Sequence, residues 1–119
     1  GAGEFRGGLG LDLEFEMLED TFITIVVERT KFPPWGNKGG TSARSNNVEI
    51  NPKNGVKFYM PKKSGHKLNK GDKITFMTGG GGGYGNPKNR KHSSIKNDLK
   101  QEYLSVKYVE DNFKNYKFS

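Results

Sequence analysis

Three features of this 119-residue chain predict a mainly β fold, an antiparallel β-sandwich or partly open barrel with two short C-terminal helices. Apolar residues alternate strictly at Leu9, Leu11, Leu13, Phe15 and Met17. Short runs of strand-forming residues recur as far as Met77, with Gly-, Pro- and Asn-containing turns between them. Beyond Pro87 the period changes, and Ile95, Leu99 and Tyr103 recur at every fourth position, as on one side of a helix.

The first alternating run carries Asp12, Glu14 and Glu16 on its second face, the pattern of a half-buried strand. Glu19-Asp20 is a turn signal. The next run, Phe22 to Val27, is rich in β-branched residues and apolar on both faces except at Thr24, so it is expected to be more central and paired with the first run. Pro33 and Pro34 then exclude helix and ladder pairing, and Gly36, Gly39 and Gly40 permit sharp reversals around Trp35, the only tryptophan. Val48-Glu49-Ile50 is a short alternating run that stops at Asn51-Pro52. Asn54-Gly55 is a strong hairpin signal before Val56–Met60. A basic turn follows Pro61. At Leu68-x-x-Gly71-Asp72, Gly71 is placed to supply positive φ and Asp72 to accept neighbouring backbone N–H groups before the strand Lys73–Thr78. Ser93 or Ser94 is available to cap a first helix, and a second is expected from Ser105, with Val106, Val109 and Phe113 on one face. The chain is therefore expected to be a single domain, a β-rich module over 1–87 ending in a Gly-rich loop, with a helical tail over 88–119 packed on it.

That loop is the most unusual stretch. Gly79 to Gly83 are five consecutive glycines, followed by Tyr84-Gly85-Asn86-Pro87. Glycine loses more backbone freedom on folding than any other residue, so an ordered run needs an offsetting contribution. The expectation is an ordered loop with several positive φ angles, packed against the loop that carries Trp35. Burial of the Tyr84 ring and a phenolic hydrogen bond are expected to anchor it.

Composition narrows the function classes. With no cysteine, neither a disulfide framework nor a thiolate metal site can form. No apolar run approaches a membrane span in length, and a soluble cytoplasmic protein is expected. The formal charge of +7 suits an anionic partner, yet the lysines are scattered and arginines are few, which is how a solvated surface reads. Lys57-Phe58-Tyr59 interleaves aromatics with a cation and offers a stacking platform for nucleic acid; alternatively it is a strand half in the core.

Catalytic signals are sparse. Gly80-Gly81-Gly82-Gly83-Tyr84-Gly85 formally satisfies G-x-G-x-x-G, as any glycine run does, but Asn86-Pro87 delays the helix that a dinucleotide fingerprint must open. No Gly-Lys-Ser or Gly-Lys-Thr follows, so there is no Walker phosphate loop. His66 and His92 lie in basic, polar stretches read as exposed turns, without metal-ligand spacing. No catalytic, cofactor-binding or metal-binding residue is assigned. Trp35 is either a core plug beneath a long loop or a wall of a ligand site or interface.

Several stretches nevertheless occur together in a recognisable order. Glu4-Phe5-Arg6-Gly7-Gly8-Leu9-Gly10, Phe32-Pro33-Pro34-Trp35-Gly36 with Gly39-Gly40, Leu68-x-x-Gly71-Asp72 and Gly80–Gly85 resemble the C-terminal part of the hydantoinase B family. That family includes N-methylhydantoinase B subunits, the C-terminal half of 5-oxoprolinases, and subunits of acetone and acetophenone carboxylases. Leu104-Ser105-Val106 resembles the family's ending, and the resemblance begins close enough to Gly1 that Gly1-Ala2-Gly3 reads as native sequence rather than an expression scar. Departures are Asn37-Lys38 where the family has an apolar pair, Asn86-Pro87 in place of Asp-Pro, and Phe113-Lys114 in place of a Tyr-Gly.

The resemblance implies a module of an enzyme that uses ATP and Mg to open cyclic amides such as hydantoins and 5-oxoproline, or to carboxylate ketones. It implies two partners, the remainder of the B subunit and an A-type ATP-binding subunit, and no cofactor in this chain. The module alone is expected to be inactive. Specific nucleic-acid binding is not expected; a stand-alone basic module for nucleic acid or another polyanion is the alternative. The residues expected at an interface or facing substrate are Trp35, Gly80, Gly81, Gly82, Gly83, Tyr84 and Gly85.

Overall fold

The alternation from Leu9 to Met17 does produce a strand, β1 (Asp12–Glu16), but its partner is remote in sequence. In the computed structural model, which describes Gly1–Ser119, six strands form two antiparallel sheets that do not close, and two short helices follow them in the chain. The mainly β class with two C-terminal helices is thus observed. The chain divides into two compact units, one of Gly10–Pro33 and Arg44–Gly79, the other of Gly1–Leu9, Pro34–Ala43 and Gly80–Ser119. This partition groups the first nine residues and Pro34–Ala43 with the helices.

The first unit holds all six strands. β1, β6 (Lys73–Met77), β3 (Asn47–Asn51) and β4 (Phe58–Tyr59) form one sheet in the order β1-β6-β3-β4. β2 (Thr21–Val26) pairs only with β5 (Lys62–Leu68). The expected pairing of the first two strands is therefore wrong, and β2 is not central. Each found a partner beyond the Trp35 loop, because strand pairing is decided by which faces can be buried together and not by the shortest connection. Asn54-Gly55 does reverse the chain between β3 and β4, which pair antiparallel.

β5 corrects a second expectation, since the basic stretch after Pro61 is a strand and not a turn. Its lysines conceal the period. Only Leu68 is buried, while Lys62 pairs with Glu28 at 2.8 Å and Lys67 lies 3.8 Å from Asp20. Gly65, at φ 60°, takes up an irregularity opposite Thr24, whose Oγ1 accepts its N–H.

The core of this unit is Ile25, Val48, Ile50, Leu68 and Ile74, all buried. Burying each such aliphatic side chain contributes about 1.5–3 kcal/mol. The Gly71-Asp72 turn forms as expected: Gly71 has φ 89°, and the buried Asp72 carboxylate accepts Lys53 N–H at 2.9 Å and Asn69 N–H at 2.8 Å.

In the second unit, α1 (His92–Lys100) and α2 (Val106–Asn112) bury Ile95 and Val109 with Ala2, Leu104 and Phe113. The second helix begins at Ser105 as expected, and Ser105 caps α2 by accepting the Tyr108 N–H at 3.1 Å. The cap position of α1 is Lys91, without a side-chain bond, so neither Ser93 nor Ser94 has that role. Tyr103 lies past the end of α1, and Val106 is exposed although Val109 and Phe113 are buried.

Candidate functional site

From Gly80 onward the glycine loop lies within the second unit, as the middle of three extended segments. Tyr84 forms an antiparallel bridge with Phe5 on one side and a parallel bridge with Asn37 on the other. Tyr84 and Phe5 exchange both backbone hydrogen bonds at 2.9 Å. Asn37 N–H donates to Gly83 O at 2.9 Å and Gly85 N–H to Asn37 O at 3.0 Å. Gly83 N–H donates to Thr41 O at 2.9 Å, and Gly81 N–H to Gly8 O at 3.0 Å.

Close approach explains the composition. A Cβ on Gly82 would overlap the carbonyl of Trp35, and one on Gly83 the carbonyl of Ala2. Backbone lies directly against backbone, leaving no room for side chains between the segments. Gly80 and Gly85 have φ of 75° and 76°. The loop is thus ordered, has positive-φ glycines and packs against the Trp35 loop. Its anchor differs from the expectation, because the Tyr84 ring is 48% exposed and meets Phe5 at a 6.4 Å centroid distance. The backbone, and not ring burial, holds this residue.

Four of the six N–H groups from Gly80 to Gly85 are spent on other segments of the protein. A phosphate cradle needs such donors converging on the ligand. These point into neighbouring chain, so the loop works as a structural spine.

Two of the sequence candidates are nonetheless accessible. Trp35 is 72% exposed, which rules out the core-plug role, and Tyr84 presents its ring with Phe5 alongside. Gly83 and Gly85 are buried, and Gly80, Gly81 and Gly82 are half-buried. The loop positions aromatic side chains at the surface and contributes few atoms there itself.

A charged cluster that local sequence patterns did not indicate supports this spine. Asp98, on α1 and almost fully buried, receives Arg6 Nε at 3.0 Å, Arg6 Nη2 at 3.1 Å and Arg90 Nη2 at 2.7 Å. The same guanidiniums reach back to the segment paired with Tyr84: Arg6 Nη1 donates to Gly7 O and Arg90 Nη1 to Glu4 O. Arg6 lies over the Tyr103 ring and Arg90 over Phe113. Burial alone would raise the Asp98 carboxyl, but hydrogen bonds and charge from the two arginines outweigh it and hold the group below the usual carboxylate range. Arg90 Nε is buried without a partner. Arg6 sat inside a recognisable motif, whereas Arg90 and Asp98 carried no local signal.

The remaining candidates lie apart from the loop. His66 belongs to β5, not a turn, and meets Phe58 edge-on at 6.0 Å, while Phe58 and Tyr59 both stay exposed. His92 begins α1 and meets Tyr116 at 5.4 Å. In the strand-bearing unit an open cavity of about 560 Å³ is lined by Glu28, Arg29, Thr30, Lys31, Phe32 and Lys62. No helix is long and apolar enough to cross a membrane.

Residues 1–87 match the family described as Hydantoinase B/oxoprolinase. An uncharacterized protein of Methanocaldococcus jannaschii is 38% identical over 115 residues, which is 96% of this chain and 20% of that protein. The caprolactamase subunit beta of Pseudomonas jessenii is 28% identical over 115 residues, 89% of this chain and 19% of its own length. The crystal structure of an ATP-dependent caprolactamase from the same organism matches the fold with a TM-score of 0.86 at 20% identity, covering 99% of this chain and 21% of that one. The chain spans about a fifth of the length of these proteins.

Proposed function

Because the chain belongs to the hydantoinase B/oxoprolinase family and corresponds to the C-terminal portion of its members, we propose that it is the structural C-terminal module of an ATP-dependent cyclic-amide hydrolase of the hydantoinase or 5-oxoprolinase type. The observation that carries this role is the spine, in which four of the six Gly80–Gly85 N–H donors are committed to Gly8, Thr41, Phe5 and Asn37 while Trp35 and Tyr84 remain exposed. Such a module holds aromatic side chains at fixed positions for a partner surface and leaves the ring-opening chemistry to other parts of the enzyme. Its partners in this proposal are the remainder of a B-type subunit and an A-type subunit that binds ATP and Mg.

The test is a chimera in which this chain replaces the matching segment of caprolactamase subunit beta, assayed with the other subunit, ATP and Mg. ATP-dependent ring opening by the chimera, with none by the 119-residue chain alone, is expected. Turnover by the chain alone overturns the assignment.

A second possibility, polyanion binding, draws on the cavity lined by Arg29, Lys31 and Lys62. Lys62 is already engaged by Glu28 at 2.8 Å, which reduces the charge left for phosphates. Affinity for an oligonucleotide falling steeply with salt would favour it.

A further inference from the structure

The apolar face of the four-stranded sheet is covered at its centre and open at one edge. Residues opposite one another in a sheet share a face. Leu13 stands opposite Phe76, which stands opposite Val48; Phe15 stands opposite Ile74, which stands opposite Ile50. Burial falls outward along both rows. Val48, Ile50 and Ile74 are buried, packed with Ile25 and Leu68 of the β2–β5 ribbon, Phe76 is half-buried, and Leu13 and Phe15 are each 50% exposed. The ribbon ends short of β1. The expectation that this strand would be half-buried therefore fails on the side that was to be inside.

The backbone of β1 is open as well. Leu11 O accepts Thr78 N–H and Met17 N–H donates to Asp72 O, so the odd-numbered residues turn their backbone groups toward β6. By alternation Asp12, Glu14 and Glu16 turn theirs outward. β1 is an edge of its sheet, and its charged residues, Asp12, Glu14 and Glu16, are all acidic, with no lysine or proline among its five residues.

We infer that the outer edge of β1 receives an added strand from the part of a B-type chain lying outside the fifth represented here, a strand with apolar side chains over Leu13, Phe15 and Phe76 and basic ones beside Glu14 and Glu16. The occupant follows from length and charge. The relatives are about five times longer than this chain, so most of their sequence is available to supply it. Asp12 pairs with Arg44 and Glu14 with Lys73, while Glu16, opposite Lys73 in register, feels its charge without a close ion pair. A second copy of β1 in any register that joins the apolar faces would set carboxylates beside carboxylates, which disfavours self-pairing. This inference rests on the proposed role as a module of the larger enzyme and specifies where the rest attaches.

The probe is the Methanocaldococcus jannaschii relative with its matched 115-residue segment deleted, used once a cooperative thermal melt shows it folded, and titrated with this chain. Binding is expected to slow exchange of the Glu14 and Glu16 amides. L13N/F15N should weaken it at least about tenfold, as loss of apolar anchors does. E16K, on the solvated acidic side, should weaken it less but measurably and guards against misfolding of the first variant. F22N, at a residue 71% exposed on β2, should leave binding unchanged. Binding equally sensitive to F22N, or insensitive to L13N/F15N and E16K, overturns the inference while leaving the module assignment intact. Failure of the wild-type chain to bind overturns this inference, whereas the chimera assay decides the module assignment separately. Self-association abolished by L13N/F15N overturns the choice of occupant.

Discussion

Asp98 and Arg6, 92 positions apart, meet through both carboxylate oxygens, with Arg6 Nε 3.0 Å from Oδ2 and Nη2 3.1 Å from Oδ1. Arg90 adds a third charged contact to the same carboxylate at 2.7 Å. Two guanidiniums share one nearly buried acid, so the arrangement depends on that acid. Breaking a buried ion pair by removing one partner costs about 3–5 kcal/mol, because the other charge stays behind. Asp98→Asn is therefore expected to lower stability by an amount in that range in urea unfolding. A loss below about 1 kcal/mol, the value of an exposed pair, would show that the cluster is solvated in solution.

Acid should act through the same residue. Asp98 and Asp72 both have folded-state pKa values below the ordinary carboxylate value. For Asp72 the cause is hydrogen bonding from the Lys53 and Asn69 N–H groups. A depressed folded pKa contributes stability that is fully present above the unfolded value, about 3.9, and is lost as pH falls through the folded value. Unfolding free energy should thus decline as pH drops below about 5 and continue to fall below the unfolded pKa. The Asp98→Asn variant should show a flatter decline in that window. Parallel pH profiles for wild type and variant would refute the assignment.

The glycine spine makes a graded prediction. Gly82→Ala and Gly83→Ala drive a methyl into the Trp35 and Ala2 carbonyls, and overpacking of this kind costs about 1–3 kcal/mol or more. At Gly81 the nearest atom to an added Cβ is Gly8 N at 3.2 Å, a tight but smaller intrusion without positive φ. Gly81→Ala should cost markedly less, its strain offset in part by the ~0.4–1 kcal/mol that a Gly→Ala change can gain from the unfolded chain. Tyr84→Ala keeps every backbone bond and should change the melting temperature least. Equal melting temperatures for all four variants would mean the segment is a tether.

Asp72→Ala removes acceptors from two backbone N–H groups at the turn before β6. Leaving buried donors unsatisfied costs about 1–3 kcal/mol each, less where water reaches them. The variant should lose at least about 1 kcal/mol in urea unfolding and gain amide exchange at Lys53 and Asn69. Unchanged exchange at both amides would show that the carboxylate does not hold the turn.

By itself the sequence determined the antiparallel β class, the Gly71-Asp72 turn, the start of the second helix at Ser105 and the family, because each is written in a short window or in motifs kept in order. Local alternation marks β1 as a strand whatever its partner, and Ser105 caps α2 through a residue three positions away. Only the tertiary structure decided that β1 pairs with β6, that Lys62–Leu68 is a strand, and that Asp98 gathers Arg6 and Arg90. Pairing depends on burying two faces together, which no single window records. The same reason applies to the apolar side of β1. Period-two alternation specifies which side chains share a face, but whether Leu13 and Phe15 are covered depends on how far the β2–β5 ribbon reaches, and it stops at Ile74 and Phe76.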